Sequence, residues 1–343
     1  MDTRKMRILQ AVTDDYILTA EPVGSRTLAR KYGLGVSPAT IRNEMADLEE
    51  LGYLEQPHAS AGRIPSDLGY RYYVDGLMSP AALDEAERRA VAAELAGRAA
   101  LEELARSTSH VVASLTRYAS VAVMPSIDDA VLRRVELVPL EPRAVLVILV
   151  ALPGMVEHRM VETRRAWTVQ ELARVAGLLN ERLEGVTLRD VGRTVLQQMA
   201  DALNDPDLFE GAASLLQQAL ADTGDERVYL EGVVNLVHQP EFRDVQRLRP
   251  LLEFLEQREE LLSTLSGGTK GGLVIRIGQE NGPGPLQGCS LVTATYEVDG
   301  RVVGEIGVLG PTRMDYGRVV AVVSLVAEEL SQTLAEQGRR GRT

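Results

Sequence analysis

Apolar residues recur at helical spacing along the first part of the chain. Met6, Leu9, Val12 and Tyr16 fall one turn apart and predict a helix over Thr3–Thr19 with a single buried stripe. The string Glu21-Pro22-Val23-Gly24 breaks that pattern. Ser25 is then placed to cap a short second helix that carries Leu28, Ala29 and Tyr32 and is ended by Gly33. Ser37 followed by Pro38 opens a third helix, because the serine oxygen accepts from a free first-turn amide and proline at the first helical position has no N–H to lose. Ile41, Met45, Leu48 and Leu51 form its apolar face and Gly52 closes it. Tyr53-Leu54-Glu55, the small-residue string PHASAGRIP and a return at Arg63 to Pro65 predict a two-stranded hairpin. Helix, helix, turn, helix, hairpin is the winged helix-turn-helix order.

Beyond it, GYRYYVDGLM predicts a helix packing back on this unit and stopped by Ser79-Pro80, with a boundary near Met78. Residues 81–107 are alanine-rich and charged, which predicts a solvent-lapped connecting helix within a 79–110 linker. SVAVMP, VLRRVELVPL, AVLVILVAL and VEHRMVET are β-branched runs and predict three or four antiparallel strands. A helix is expected over 168–183, and helices over 188–222 and 242–265 flank the apolar string VYLEGVVNLV. LVIRIG, CSLVTATYEV and RVVGEIGVLG restore strands, and a last helix over 316–336 runs into a basic tail expected to be disordered. Strands on both sides of a helical block predict an α+β multidomain chain. Residues 111–184 and 269–343 would form one discontinuous domain, and 185–268 an insertion. Apolar VYLEGVVNLV with Leu251, Leu252, Leu255 and Leu262 makes that insertion the expected dimer contact.

Composition narrows the function. The chain has 343 residues, 45% hydrophobic and 25% charged, the ordinary range for folded proteins and enough for two or three domains. Its longest apolar run, Ala144–Leu152, is less than half the roughly 20 residues that span a bilayer. The opening residues mix charges through any leader-like segment, so a cytoplasmic protein is expected. A single cysteine, Cys289, rules out an internal disulfide.

The net charge of -12 argues against a uniformly basic surface, yet residues 22–43 hold Arg26, Arg30, Lys31 and Arg42 and no acid. The helical wheel turns Ala39, Arg42, Asn43 and Ala46 outward, with Thr40 at the flank. Arginine can bond guanine O6 and N7 together, asparagine adenine N6 and N7, and a small alanine allows close approach, so Arg42 and Asn43 are the expected base readers in a major groove. Ser25, Arg26, Arg30 and Lys31 are expected near phosphates, Ser37 among the DNA-binding residues, and His58, Ser60 and Arg63 on a slim wing beside the backbone or in a minor groove.

No catalytic constellation emerges. His58, His110, His158 and His238 lie in no metal-ligand spacing, and the glycine cluster 267–272 departs from the phosphate-loop pattern. Cys289 is expected as a small buried hydrophobe, Trp167 as a core anchor, and the pairs Asp128-Asp129 and Glu259-Glu260 as surface or cap residues. No cofactor or metal is expected, and no enzyme activity.

EPVGSRTLARKYG (21–33), VSPATIRNEMADLEELGYLEQPHASAGRIPSDLGYRYYVD (36–75), VVNLVHQPEF (233–242) and GPTRMDYGRVV (310–320) together resemble the heat-inducible transcription repressor family, HrcA. The likeness runs through nearly the whole chain. It implies a homodimeric repressor that binds an inverted-repeat DNA operator upstream of chaperone operons, with activity assisted by the GroEL chaperonin. It also implies a winged helix, a GAF-like domain and an inserted dimerisation domain. Two other readings stay open: a metabolite-responsive regulator whose GAF-like domain binds a small ligand, and an enzyme with a DNA-binding accessory head.

Overall fold

The computed structural model describes residues 2–96, 101–124, 131–152, 155–181, 186, 205–220, 227–266, 272–298 and 300–340. Helices α1 (Thr3–Thr19), α2 (Ser25–Lys31) and α3 (Pro38–Glu50) precede a hairpin of β1 (Leu54–Glu55) and β2 (Ile64–Pro65), and α4 (Asp67–Gly76) follows. Ile8, Leu9 and Val12 of α1, Leu28 of α2, Ile41, Met45 and Leu48 of α3 and Leu54 of β1 form one small core. The buried stripe of α1 is rotated from the expected one: Ile8 and Leu9 are fully buried, Met6 and Tyr16 only half-buried. That rotation carries Asp15 inward, where it accepts from Lys31 and Tyr32.

Two local expectations are corrected. Gly24, not Ser25, is the N-cap of α2; it is extended (φ -95°, ψ 147°), so Ser25 already lies inside the first turn. Leu51 is the C-cap of α3 and 54% exposed, because Gly52 at φ +80° turns the chain away before Leu51 reaches the core. Ser37 does cap α3, accepting from Thr40 N at 3.1 Å with Pro38 at the first position.

The stretch expected as one solvent-lapped helix is two helices, α5 (Glu85–Leu95) and α6 (Leu101–Thr116). Ala96 adopts an extended conformation (ψ 139°) and ends α5. Leu104, Ala105 and Val112 of α6 are fully buried, so this helix is core rather than connector.

The main sheet has the order β7-β3-β10-β9-β8, antiparallel throughout: β7 (Arg227–Glu231), β3 (Ala119–Met124), β10 (Arg301–Pro311), β9 (Cys289–Val298) and β8 (Leu273–Ile277). Alternation along β3 serves two layers. Ala122 and Met124 join the core shared with α6 and the last helix, α12 (Tyr316–Arg340). Ala119, Val121 and Val123 join a second core with α10 (Val245–Glu256) and α11 (Arg258–Ser266). A short helix, α9 (Val233–Val237), links β7 to this layer.

β4 (Val131–Glu141), β5 (Ala144–Leu152) and β6 (Met155–Glu162) form a separate three-stranded meander. Val135, Val145, Val147, Leu149 and Val161 on one face pack with Leu172, Val175 and Leu179 of α7 (Val169–Asn180) and Leu208, Ala212 and Leu215 of α8 (Pro206–Leu220). The other face leaves Val138, Leu140, Val156 and Met160 exposed.

This topology corrects the expected division. Among the described residues β4 to β6 do not pair with the later strands, whereas β7, from within the supposed 185–268 insertion, bonds along β3 from Ser120↔Glu231 to Met124↔Arg227. Periodicity identifies strands without saying which edges meet. Leu251 and Leu255 are buried in the second core and Leu262 packs against it, so these leucines are not a free dimer contact.

Trp167 is buried, with the Arg165 guanidinium 4.0 Å from its ring centroid. Cys289 is buried as expected. Most of the helix expected over 188–222, the Asp128-Asp129 pair, residues 267–271 of the glycine cluster and the tail's 341–343 lie outside the described residues; α12 continues to Arg340, beyond its expected end.

Candidate nucleic-acid interface

The start of α3 is built to be displayed. Ser37 Oγ takes the free Thr40 amide and lies 2.9 Å from Thr40 Oγ1, which orders the first turn. Burial of Ile41, Met45 and Leu48 then fixes the rotation of the helix. Ala39, Arg42 and Asn43 are left exposed, with Thr40 and Ala46 at the flanks. α2 packs against α3 and presents Arg26 and Arg30 to solvent, with Ser25 half-buried behind them.

The hairpin tip carries exposed His58, Ala59 and Ser60. Gln56 Nε2 donates to Ala59 O (3.1 Å) and Ala61 O (3.0 Å), and Ala61 N to His58 O (2.8 Å), so the loop is cross-braced. At its base Val23 and Arg63 exchange backbone bonds, both 2.9 Å. A Cβ on Gly62 would lie 2.4 Å from Val23 O, so only glycine permits this approach.

Arg63, half-buried, and Lys31, exposed, are both ion-paired within the chain. Arg63 Nη2 pairs with Glu49 of α3 at 2.7 Å, tying the wing to the helix. Lys31 pairs with buried Asp15, and the Tyr32 hydroxyl donates to the same carboxylate at 3.2 Å. Burial, with Asp15 beside it, pushes the Tyr32 phenol up to about 12 and keeps that donor protonated. Both cations are oriented by in-chain acids, which leaves their charge locally balanced.

The same pairing explains how a head with nine basic and eleven acidic residues through Gly76 can still offer a basic surface. Glu44 on α3 is met by Lys5 Nζ (2.7 Å) and Arg4 Nη1 (3.3 Å), and Asp47 by Lys5 Nζ (2.8 Å). The acids of α3 are thus largely neutralised within the chain. Arg26, Arg30 and Arg42 make no ion pair among the described residues and remain at the surface.

Three contributors escaped the sequence reading. Gln56 is the brace of the wing, and its signal would have been an amide directly before a glycine-poor loop tip. Arg4 and Arg7, one turn apart on α1, line an open groove of about 290 Å³ with Thr3, Ile8, Leu34 and Val36. Their i,i+3 spacing on the polar side of α1 was the available sign. Among the described residues no group of three or more His, Cys, Asp or Glu is placed to hold a metal, and no helix is long and apolar enough to cross a membrane.

The family profile described as HrcA protein C terminal domain matches residues 102–320. Among curated proteins, the heat-inducible transcription repressor HrcA of Moorella thermoacetica is 46% identical over 339 residues, covering 98% of both chains. That of Desulforamulus reducens is 44% identical over 337 residues, 97% of each. A hypothetical protein with a crystal structure at 2.2 Å resolution has a TM-score of 0.65 at 23% identity, covering 98% of this chain and 99% of its own, and so shares the fold. Identity at this level over the full length, head and body together, shows that the chain belongs to the family of the heat-inducible transcription repressor HrcA.

Proposed function

We propose that the chain represses heat-shock chaperone operons as a cytoplasmic homodimer whose two heads grip the half-sites of an inverted-repeat operator. Repression is steric, and a GroEL-type chaperonin assists it. The head, residues 2–78, is the winged helix-turn-helix. The five-stranded sheet and its helices are the GAF-like body. Residues 131–220, in place of 185–268, are the inserted dimerisation unit, a reading supported by the uncovered apolar face of the three-stranded sheet.

The observation that carries this reading is the start of α3: a serine-capped first turn that exposes Ala39, Arg42 and Asn43 beside two unpaired arginines of α2. Such a helix end meets base edges in a major groove, while α2 and the wing meet phosphates. Ser25, Arg26, Arg30 and Ser37 are the phosphate set, with Lys31 and Arg63 as ion-paired supports. His58 and Ser60 are the wing contacts, and Ala39, Thr40, Arg42 and Asn43 the reading face.

Among the described residues, nothing favours the metabolite-sensing alternative. The enclosed cavity between the main sheet and α10 and α11, lined among others by Val121, Phe254, Leu255 and Leu291, is about 10 Å³, room for roughly one water.

The test is fluorescence anisotropy on a chaperone-operon inverted repeat and a scrambled copy, across salt and with or without chaperonin. The expected preference for the repeat exceeds about a thousandfold. Equal, weak and steeply salt-dependent binding to both would reject the operator reading.

A further inference from the structure

Residues 239–241 and 312–318, within two strings that carry the family resemblance, meet the head. Arg313 explains part of this. Its guanidinium, with the side chain 10% exposed, donates through Nε to Glu241 Oε1 (2.6 Å), through Nη2 to Gln239 Oε1 (3.2 Å) and through Nη1 to Ile17 O (2.7 Å). One side chain therefore fastens the last turn of α1, in the head, to two segments of the body.

A second clasp holds α4. Arg71 forms a two-pronged pair with Glu280, Nε to Oε1 at 2.8 Å and Nη2 to Oε2, and Nη2 also donates to Ile275 O at 2.7 Å. Asp67 Oδ2 accepts from Gln279 N at 2.9 Å. The partner turn is shaped for this approach: Gly278 sits at φ +52°, and a Cβ there would lie 2.1 Å from Asp67 Oδ2. Burial pushes the Glu280 carboxyl up, but the bonds from Arg71 and Ile277 N outweigh it and hold the group below its usual range, so this clasp stays charged near neutrality.

Fully buried Tyr70 of α4 meets Tyr316 of α12 with ring centroids 5.9 Å apart. The exit from the head is pinned as well, by Ala81 N donating to Gly317 O at 3.1 Å. Clasps on two different head helices, with a buried aromatic contact besides, fix both position and rotation of the head. A bidentate arginine–carboxylate pair adds directional constraint that a point charge lacks.

We propose that Arg71 and Arg313 are positioning residues that set which half-site spacing this repressor accepts. The proposal rests on the dimeric operator-binding reading above. In a dimer with rigidly mounted heads, the second half-site is engaged only where its distance and helical phase match, and each base pair inserted turns it by about a tenth of a helical turn. Loosely tethered heads would tolerate such changes.

The experiment measures affinity of the full chain for a single half-site, for the native repeat, for repeats with one or two base pairs inserted or removed, and for a scrambled duplex. Wild-type protein is expected to show a sharp optimum at native spacing. Arg71→Met and Arg313→Met are each expected to keep half-site affinity, to lose about tenfold or more on the native repeat, and to flatten the spacing profile. The conservative exchange Arg71→Lys, which keeps a donor for Glu280 and Ile275 O, is expected to recover part of the optimum, which a variant that merely failed to fold could not do. A flat wild-type profile, or an equally sharp one in both Arg71→Met and Arg313→Met, overturns the proposal. Failure of the wild type to prefer the repeat over the scrambled duplex removes the operator reading itself, and is read separately from the spacing series.

Discussion

The two sheets reverse what their compositions suggest. AVLVILVAL, the strand β5, is the most apolar run in the chain, while CSLVTATYEV, the strand β9, contains serine, threonine and glutamate. Yet β9 lies in the sheet with helical layers on both faces, whereas among the described residues β5 lies in a sheet with helices on one face only. Ser290 and Thr293 of β9 are both buried, and Ser290 has a local use there: its Oγ lies 2.7 Å from Tyr316 Oη. The open face of β4 to β6 instead exposes Val156 at 60% and Met160 at 67%. A contiguous apolar patch on a folded surface marks a contact with another molecule more often than an accident of composition. One sheet is covered on both faces; among the described residues the other leaves apolar side chains of one face at the surface.

Four experiments sharpen or break that contrast. The largest effect is expected from Ile306→Ala in β10, a fully buried position in the two-sided sheet. It should cost about 2 to 5 kcal/mol in denaturant unfolding, through lost burial and the cavity left behind. A loss no larger than that of a surface substitution would mean that this sheet is not the stabilising core.

Next comes Met160→Glu on the open face. It should leave the fold intact but weaken self-association by about 2 kcal/mol, roughly thirtyfold in the dissociation constant by sedimentation. Unchanged association would assign the open face to some other contact.

Arg42→Ala, on the polar counterpart of that uncovered face, should weaken operator binding by about 1 to 3 kcal/mol and relax one base position. Equal loss on operator and scrambled DNA would make Arg42 a phosphate contact.

The smallest effect is a test of pH at Cys289, at the start of β9. Burial pushes its thiol up to about 12. The unfolded chain ionises it near about 8.5, so above that pH the folded state holds the extra proton and stability falls as pH rises toward 12. At pH 9 the native thiol should alkylate far more slowly than the thiol in denaturant. Equal rates would show that this end of β9 opens freely.

Much of the head was legible because its determinants are local. Ser37-Pro38 announces a helix start, the spacing of Ile41, Met45 and Leu48 sets which side chains face out, and the small residues from Ala59 to Gly62 announce a slim loop. What the head's sequence does not show is pairing between partners distant in the chain. Arg63 meets Glu49 and Lys31 meets Asp15 only once α1, α2, α3 and the hairpin have packed. In the body, strand existence was readable from β-branched runs, but strand partnership was not. Any apolar edge satisfies backbone bonds equally well on paper, so 227–231 was assigned away from β3.

From the residue order alone came the helices and hairpin of the head, the exposed face of α3, the strands of the body and the resemblance to a repressor family. These depend on interactions across a few residues, on periodicity, or on motifs that are themselves sequence. Tertiary structure alone decided which sheet each strand joins, which cations remain free at the surface, and how Arg71 and Arg313 fasten head to body. Those outcomes depend on contacts between residues tens to hundreds of positions apart, whose energies exist only after the chain has brought them together.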